Sequence, residues 1–374
     1  MIKGLLLILT VLVLTGCAPK HPVMVPLEEP LPGSFFTDKK KILEDEDLAA
    51  VLRAKDFILV GESHNNACDH LAQSGLIKTL AAAGHEFAVG LEMISVERQH
   101  VLDEFNARRT GVDQLPEKLD WAGTWGYDFE LYRPIFDQTF RYSIPVFALN
   151  LPGSITRTIS REGLDALSLD EKSFLPSSII EPPEGQMEML KKQFSLHQDM
   201  IQADEAVLQR FVTAQSVWDT KMAEEAVRIR EELGRPVLIL AGTGHVNRGY
   251  GIEHRLELLS PGARITSFVP ARSLEGMTKD NPFYYFCPPV QERMRLGIVA
   301  RVEDEMVMVR AVIRESLADE AGIQSGDRIV RAGAQTVTSL ADLHAAAVEA
   351  VSSNGELELE ILRDQETEIF LISF

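Results

Sequence analysis

The sequence predicts an α/β fold: a parallel sheet carrying a helical insertion, followed by a small β-rich domain. Three observations carry that expectation. Short all-apolar runs alternate with helical stretches through most of the chain, the pattern of a parallel sheet covered on both faces. From residue 296 strands dominate and one helix interrupts them. The length of 374 residues suits two or three domains at roughly 150 residues each.

The elements follow in order. Leu48 to Ala54 reads as a helix, and Phe57-Ile58-Leu59-Val60 as the first buried strand, ending at Gly61. Leu71 to Ala83 is helical, Phe87 to Leu91 is the second strand, and Glu97 to Ala107 is a polar helix. Pro134 to Arg141 leads as a helix into the third strand, Val146 to Leu149. Between Leu151 and Gly234 no strand is evident, whereas Ala203 to Thr213 and Val217 to Glu232 have helical spacing. We read this region as an insertion over the strand ends; a plain helical layer on the sheet is the alternative. Pro236 to Ala241 is a further strand. Pro270, Pro282, Pro288 and Pro289 then mark a connector. Beyond it come strands at Ile298 to Val302, Met306 to Val312, Arg328 to Arg331, Leu357 to Leu362 and Thr367 to Ile372, with a helix at Ser339 to Val351. The expected boundaries are 18–38 for a Pro-rich tether, 39–272 for the α/β domain, 273–292 for the connector and 293–374 for the last domain.

The N-terminus predicts a location. Lys3 precedes ten mostly apolar residues, Leu5 to Leu14, too few to span a bilayer, which takes about 20, but fitting the core of a secretory signal. Leu14-Thr15-Gly16-Cys17 resembles the bacterial lipoprotein signal, which implies removal of the leader and lipid attachment at Cys17. Five prolines between Ala18 and Gly33 suit an extended tether. Ala18 leans towards the outer membrane, so the expectation is a periplasm-facing envelope protein whose membrane partner is reached through its lipid. The net charge of −19 repels phosphate backbones and argues against nucleic acid. Three cysteines are too few for a disulfide scaffold or a thiolate-rich metal site.

The chemistry-bearing residues follow the strands. Glu62 and His64 close the first, Glu92 the second, Asn150 the third and His245 the late one. In a parallel sheet those ends share one rim, where ligands bind. Carboxylates and imidazoles together suit a divalent metal or a general acid–base pair, and His70 adds another ring. Each residue alone also fits an ordinary role: a loop histidine, a capping glutamate, a turn asparagine.

Several segments in order, FILVGESHNN, VGLEM, VERQHVLDEF, YRPIFDQ, VFALNLP, AQSVWDTKMAE and LAGTGHVNRGYGI, resemble the ChaN-like haem-binding lipoproteins. Their wider group includes the TraB and Tiki proteins and, more distantly, the erythromycin esterases. The resemblance, over about residues 40–270, implies a Rossmann-like core and a role in haem or iron uptake. Tiki relatives are metal-dependent proteases with a Gly-x-x-His element, which Gly61 to His64 matches. His64, Glu92 and His245 correspond to the group's active rim. Haem iron would take Tyr132, Tyr127, Tyr250 or a rim histidine, with Arg133 or Arg248 for the propionates and Asn150 beside them. Met187, Met189, Phe194, Met200 and Phe211 would wall the slot, or simply form core. The alternative is a metal-dependent, peptidase-like hydrolase with the ion on His64, Glu92 and His245 and Glu62 as base. Ser63 lacks the nucleophile-elbow setting. Cys68 is a small buried residue or a thiol nucleophile, and its pairing with Cys287 is not readable. Trp121 and Trp125 form an aromatic loop that either meets a planar ligand or packs inward.

Residues 293–374 resemble a bacterial PDZ domain. Arg295-Leu296-Gly297-Ile298 stands at the carboxylate-binding loop, and SLADEAGIQSGD, Ser316 to Asp327, matches a family element with Leu317 in place of proline. The resemblance implies strand addition of a partner protein's C-terminal peptide at Leu296, Gly297 and Ile298; a PDZ fold that only packs is the alternative. A homodimer is left open.

Overall fold

The computed structural model describes residues 30–195, 205–289, 296–303, 306–314, 316–353, 355–363 and 366–374. The signal, Cys17 and most of the tether lie outside the described residues, as do Met200 and Arg295. The chain forms two compact units, Met1–Pro288 and Pro289–Phe374. No helix among the described residues is long and apolar enough to cross a membrane.

The first unit is built on an eight-stranded sheet. Its strands are β1 (Phe35–Thr37), β2 (Ile42–Leu43), β3 (Phe57–Glu62), β4 (Ala88–Ser95), β5 (Val146–Asn150), β6 (Val237–Gly242), β7 (Ile265–Ala271) and β8 (Phe283–Phe286). The order is β2-β1-β8-β7-β3-β6-β4-β5. From β8 to β5 every neighbouring pair is parallel, while β1 adds antiparallel to β8 and β2 to β1. β3 and β6 are buried at every residue, which is why they read as unbroken apolar runs instead of alternating ones.

Helices cover both faces. On one side α1 (Asp45–Leu52), α2 (Ala67–Ala82), α3 (Gln99–Asn106) and α4 (Phe129–Tyr142) pack Leu48, Leu76, Leu102 and Phe136 against Ile58, Val60, Val89 and Leu238. After α5 (Gly153–Glu162) and α6 (Glu184–Ser195), the long α7 (Glu205–Leu233) and α8 (Ile252–Leu259) cover the other side. There Met222, Ala226, Ile229 and Leu256 meet Phe57, Leu59 and Ile239. Burying each large aliphatic side chain contributes about 1.5–3 kcal/mol.

Both readings of the helical region are realised within α7. Its second half is a layer on the sheet. Its first half continues beyond the strand ends, where Ala214 and Val217 pack on Leu151, Ile155 and Ile159 of the α5 region.

Two stretches read as linkers are structural. Phe35–Thr37, inside the expected tether, and Phe283–Phe286, inside the expected connector, pair with each other. Strands of three and four residues carry too little periodicity to read. The helix expected from Pro134 starts earlier, at Phe129, because Asp128 caps it by accepting from the Glu130 N–H. Cys68 and Cys287 form a disulfide with a Cα–Cα distance of 5.7 Å, so in this structure Cys68 is neither a free thiol nor a nucleophile.

The second unit is an antiparallel sheet ordered β14-β13-β11-β10-β9, with β12 off β11. The strands are β9 (Ile298–Glu303), β10 (Met306–Val312), β11 (Arg328–Ala332), β12 (Gln335–Thr336), β13 (Glu356–Arg363) and β14 (Glu366–Ser373), and α9 (Leu340–Ser353) covers them. Val307, Val309, Ile329, Leu359 and Ile361 form the core with Leu343 and Ala346. β9 is an edge strand, bonded within the sheet only to β10.

Candidate functional site

Strand order explains the convergence of the rim residues. β3, β6, β4 and β5 are consecutive neighbours, so Glu62, the Gly242–His245 turn, Glu92 and Asn150 end side by side. Glu92 owes its placement to an irregularity: Leu91 pairs with Ala148 but Ser95 with Asn150, so extra residues of β4 bulge there, as strands do where a side chain is re-aimed. Gly242 allows the close approach, because a Cβ there would lie 2.9 Å from His64 Nε2 and 3.5 Å from Glu92 Oε2.

One half of the rim centres on Glu62, 2% exposed. Its Oε1 accepts from His64 Nδ1 at 2.9 Å and from the Tyr132 hydroxyl at 2.8 Å. Its Oε2 accepts from Gln73 at 2.8 Å and lies 3.5 Å from His70 Nδ1. Burial pushes the Glu62 pKa up, but the hydrogen bonds and charges of His64 and His70 outweigh it and hold the carboxyl at about 2. His70 also donates to the His64 carbonyl at 3.2 Å. Burial works against its charged form, yet the Glu62 carboxylate raises its pKa. His64 is raised in the same way, against burial, by Glu62 and Glu92.

The other half centres on His245. Its Nδ1 donates to Asp219 Oδ1 at 2.6 Å, and its Nε2 lies 3.5 Å from Glu92 Oε1. Burial disfavours the imidazolium, but Glu92 and Asp219 raise the pKa to about 9. Asp219, on α7 and fully buried, also accepts from Gln186 at 2.6 Å and has the buried Arg255 3.8 Å away. The Gly242 N–H donates to Glu92, and the Asn150 amide donates to the Glu92 carbonyl at 2.8 Å.

The structure thus gathers Glu62, His64, His70, Glu92, Asn150 and His245, and adds Gln73 and Asp219. Tyr132 joins them in a changed role. It is 1% exposed, its hydroxyl bonds to Glu62, and burial with the Glu62 charge pushes its pKa far up, so it stays a neutral phenol. Arg133 stands apart, held by Glu130 at 2.8 Å and Asp113 at 2.7 Å, and Arg248 is paired with Asp280 at 3.1 Å. The Tyr250 ring packs against Gly185. Among the described residues no three of His, Cys, Asp and Glu are disposed to hold a metal ion; of the expected set, His64 bonds to Glu62, His245 to Asp219 and Glu92 to the Gly242 N–H. Asp219 was missed because a polar residue inside a charged helix reads as solvated; its only signal is the AQSVWDTKMAE segment that contains it.

Aromatic residues close the rim. Trp125 and Tyr127 lie 4.8 Å and 5.3 Å from the His64 ring, and Trp218 4.9 Å from the His245 ring. Trp121 is buried and donates to the Tyr127 carbonyl at 2.7 Å. Trp121 thus packs inward, whereas Tyr127, 39% exposed, lies at the surface. Beside the rim runs a cleft of about 580 Å³ walled by Trp125, Asn150, Trp218 and Phe211, with Arg98, Arg157 and Arg161.

In the second unit Gly297, at φ +81°, leaves no room for a Cβ against Ser316. Its carbonyl accepts from Ile313 and that of Leu296 from Ala318, both at 2.8 Å. Leu296 and Gly297 thus form a fixed loop directly before Ile298, which starts the edge strand β9.

The chain was compared with known proteins. The family model for haem-binding uptake, Tiki superfamily, ChaN matches residues 48–256, and a PDZ domain model matches residues 294–373. ChaN of Campylobacter jejuni, solved with cofacial haem binding, is similar over 67% of this chain and 95% of its own, at 21% identity and a TM-score of 0.54. The HtrA3 PDZ domain bound to a phage-derived ligand is similar over 21% of this chain and 82% of its own, at 26% identity and a TM-score of 0.19. The PDZ domain of EpsC from Vibrio cholerae covers 23% and 84%, at 19% identity and a TM-score of 0.19. No curated protein matches. The ChaN model spans more than half of the sequence: the chain belongs to the ChaN haem-binding uptake family of the Tiki superfamily, and it ends in a PDZ domain.

Proposed function

We propose that this protein is an envelope lipoprotein that binds haem at the aromatic mouth of the rim and a peptide C-terminus at its PDZ domain. One observation carries the haem reading beyond family membership. Tyr127 is exposed beside His64 and Trp125, and its hydroxyl has no hydrogen-bond partner among the described residues. A tyrosine oxygen is an established haem-iron ligand, whereas the Tyr132 oxygen is taken up by Glu62 and His64 Nε2 faces Gly242. Tyr127 would hold the iron, and Trp125 would pack on the ring. A bound haem supplies a ferric Lewis acid with a visible spectrum.

Haemin added to the protein should give a shifted Soret band, and Tyr127→Phe should remove the tyrosinate-to-iron charge-transfer absorption. An unshifted spectrum with wild type sinks the haem reading. A Tyr127→Phe spectrum identical to wild type sinks the ligand assignment alone.

The peptide reading rests on the PDZ domain and the position of β9 at the sheet edge beside Gly297, the arrangement that strand addition uses. Lipid anchoring rests on the Leu14–Cys17 motif, and the Cys68–Cys287 disulfide supports an oxidising compartment. Expression of Cys17→Ser should move the protein from the membrane to the soluble fraction; no change in partition counts against the anchor.

A second reading, hydrolysis, has its own observation: His245 stands between Asp219 of α7 and Glu92, an acid–base relay in which the His245 imidazolium can give a proton to a leaving oxygen. Hydrolysis of a chromogenic ester that His245→Ala abolishes would support it; equal rates in both proteins would remove it.

A further inference from the structure

The cleft beside the rim has a wall that the rim chemistry does not use. Arg157 and Arg161 lie four residues apart on α5 and share one helix face. Neither makes an ion pair or hydrogen bond with any described residue. The chain has 56 acidic residues against 37 basic ones, and Arg133, Arg248, Arg264 and Arg272 each meet a carboxylate. Arg98, also on the wall, reaches only its neighbour Glu97, at 3.8 Å, and its buried Nε has no hydrogen-bond partner. The buried indole N–H of Trp218 has none either. The wall therefore offers donors and positive charge next to flat apolar surface from Trp125, Trp218 and Phe211. Among the described residues Glu97 is its single carboxylate.

We propose that this cleft binds a planar apolar ligand through two carboxylates, with Arg157 and Arg161 as the carboxylate-holding pair. The proposal rests on the haem reading and deepens it, because a porphyrin edge bearing two propionates has that chemistry. Guanidinium forks match carboxylates in two-pronged fashion, and a cleft of about 580 Å³ falls in the range of small-ligand sites, roughly 300–1,000 Å³. Among the described residues the cleft wall holds no His, Tyr or Cys, so the carboxylate contacts can be tested with an iron-free ligand.

Tryptophan-fluorescence quenching of the full chain in detergent tests this with three probes: haemin, iron-free protoporphyrin IX and its dimethyl ester. Wild type should bind both diacids at least about tenfold more tightly than the ester, the size expected for charged hydrogen bonds. Arg157→Gln/Arg161→Gln should lose that difference by weakening the diacids alone. Arg157→Lys/Arg161→Lys, which keeps the charge, should recover part of it. Equal affinity of wild type for diacid and ester overturns the proposal, as does a glutamine variant that still prefers the diacid. If the iron-free diacid binds in an arginine-dependent way while haemin produces no Soret shift, the haem reading falls and the dicarboxylate site stands. If no probe binds, both fall.

Discussion

The rim and the cleft are neighbours that share Trp125, Asn150 and Trp218, yet they use their polar atoms in opposite ways. In the rim, Glu62, His64, His70, Asp219 and His245 are bonded to one another or to backbone and mostly buried. In the cleft, Arg157 and Arg161 are exposed and unpaired among the described residues. A buried charge must be compensated within the protein, since water is absent. An exposed one can wait for a ligand. Shape-keeping falls to the first region and, on our proposal, capture to the second.

The largest test of this contrast is Asp219→Ala, which strands the His245 imidazolium. Breaking a buried pair from one side costs about 3–5 kcal/mol, read as a fall in the urea midpoint; a loss below 1 kcal/mol would break the comparison. The pH dependence of stability sharpens it. His245 has its pKa raised to about 9, so its stabilisation is full below its unfolded value near 6.5 and fades as pH rises towards 9. Glu62 is lowered to about 2, so its stabilisation is full above about 4.5 and fades as pH falls towards 2. Urea midpoints should accordingly peak between about pH 4.5 and 6.5, and His245→Gln should flatten the alkaline limb. Tyr132→Phe removes one hydrogen bond to a carboxylate and should cost about 1.5–3 kcal/mol. The smallest effect belongs to the cleft: Arg161→Ala should change stability by no more than about 0.5 kcal/mol, while weakening diacid binding.

The legible parts of the fold are those where one period dominates over several residues. Phe57 to Val60 and Val237 to Ala241 are strands because their side chains are buried on both faces, and burial writes itself as an apolar run. The ends of those strands were readable for the same reason, which brought Glu62, His64, Glu92, Asn150 and His245 to one rim. Asp219 was not, because its partner lies 26 residues away and local context makes it a surface residue. Arg157 and Arg161 read as the polar face of a short helix. What distinguishes them is the absence of partners, a property of the folded surroundings. Tyr132 shows the converse. The YRPIF segment offers it as a haem ligand, whereas the 2.8 Å distance from its hydroxyl to Glu62 gives it the task of support.

The Cys68–Cys287 bond joins the first turn of α2 to the residue after β8, across a sequence separation of 219. The unit boundary falls directly afterwards, between Pro288 and Pro289. A pull exerted on the PDZ domain by a held peptide, against resistance at the N-terminal end, would enter at Cys287 and leave at Cys68. The covalent bridge carries that tension past everything between them. The cleft, with Glu92, Asn150, Asp219 and His245, sits inside a closed ring that the bridge bypasses, whereas Glu62 and His64 precede Cys68 and stay on the loaded path.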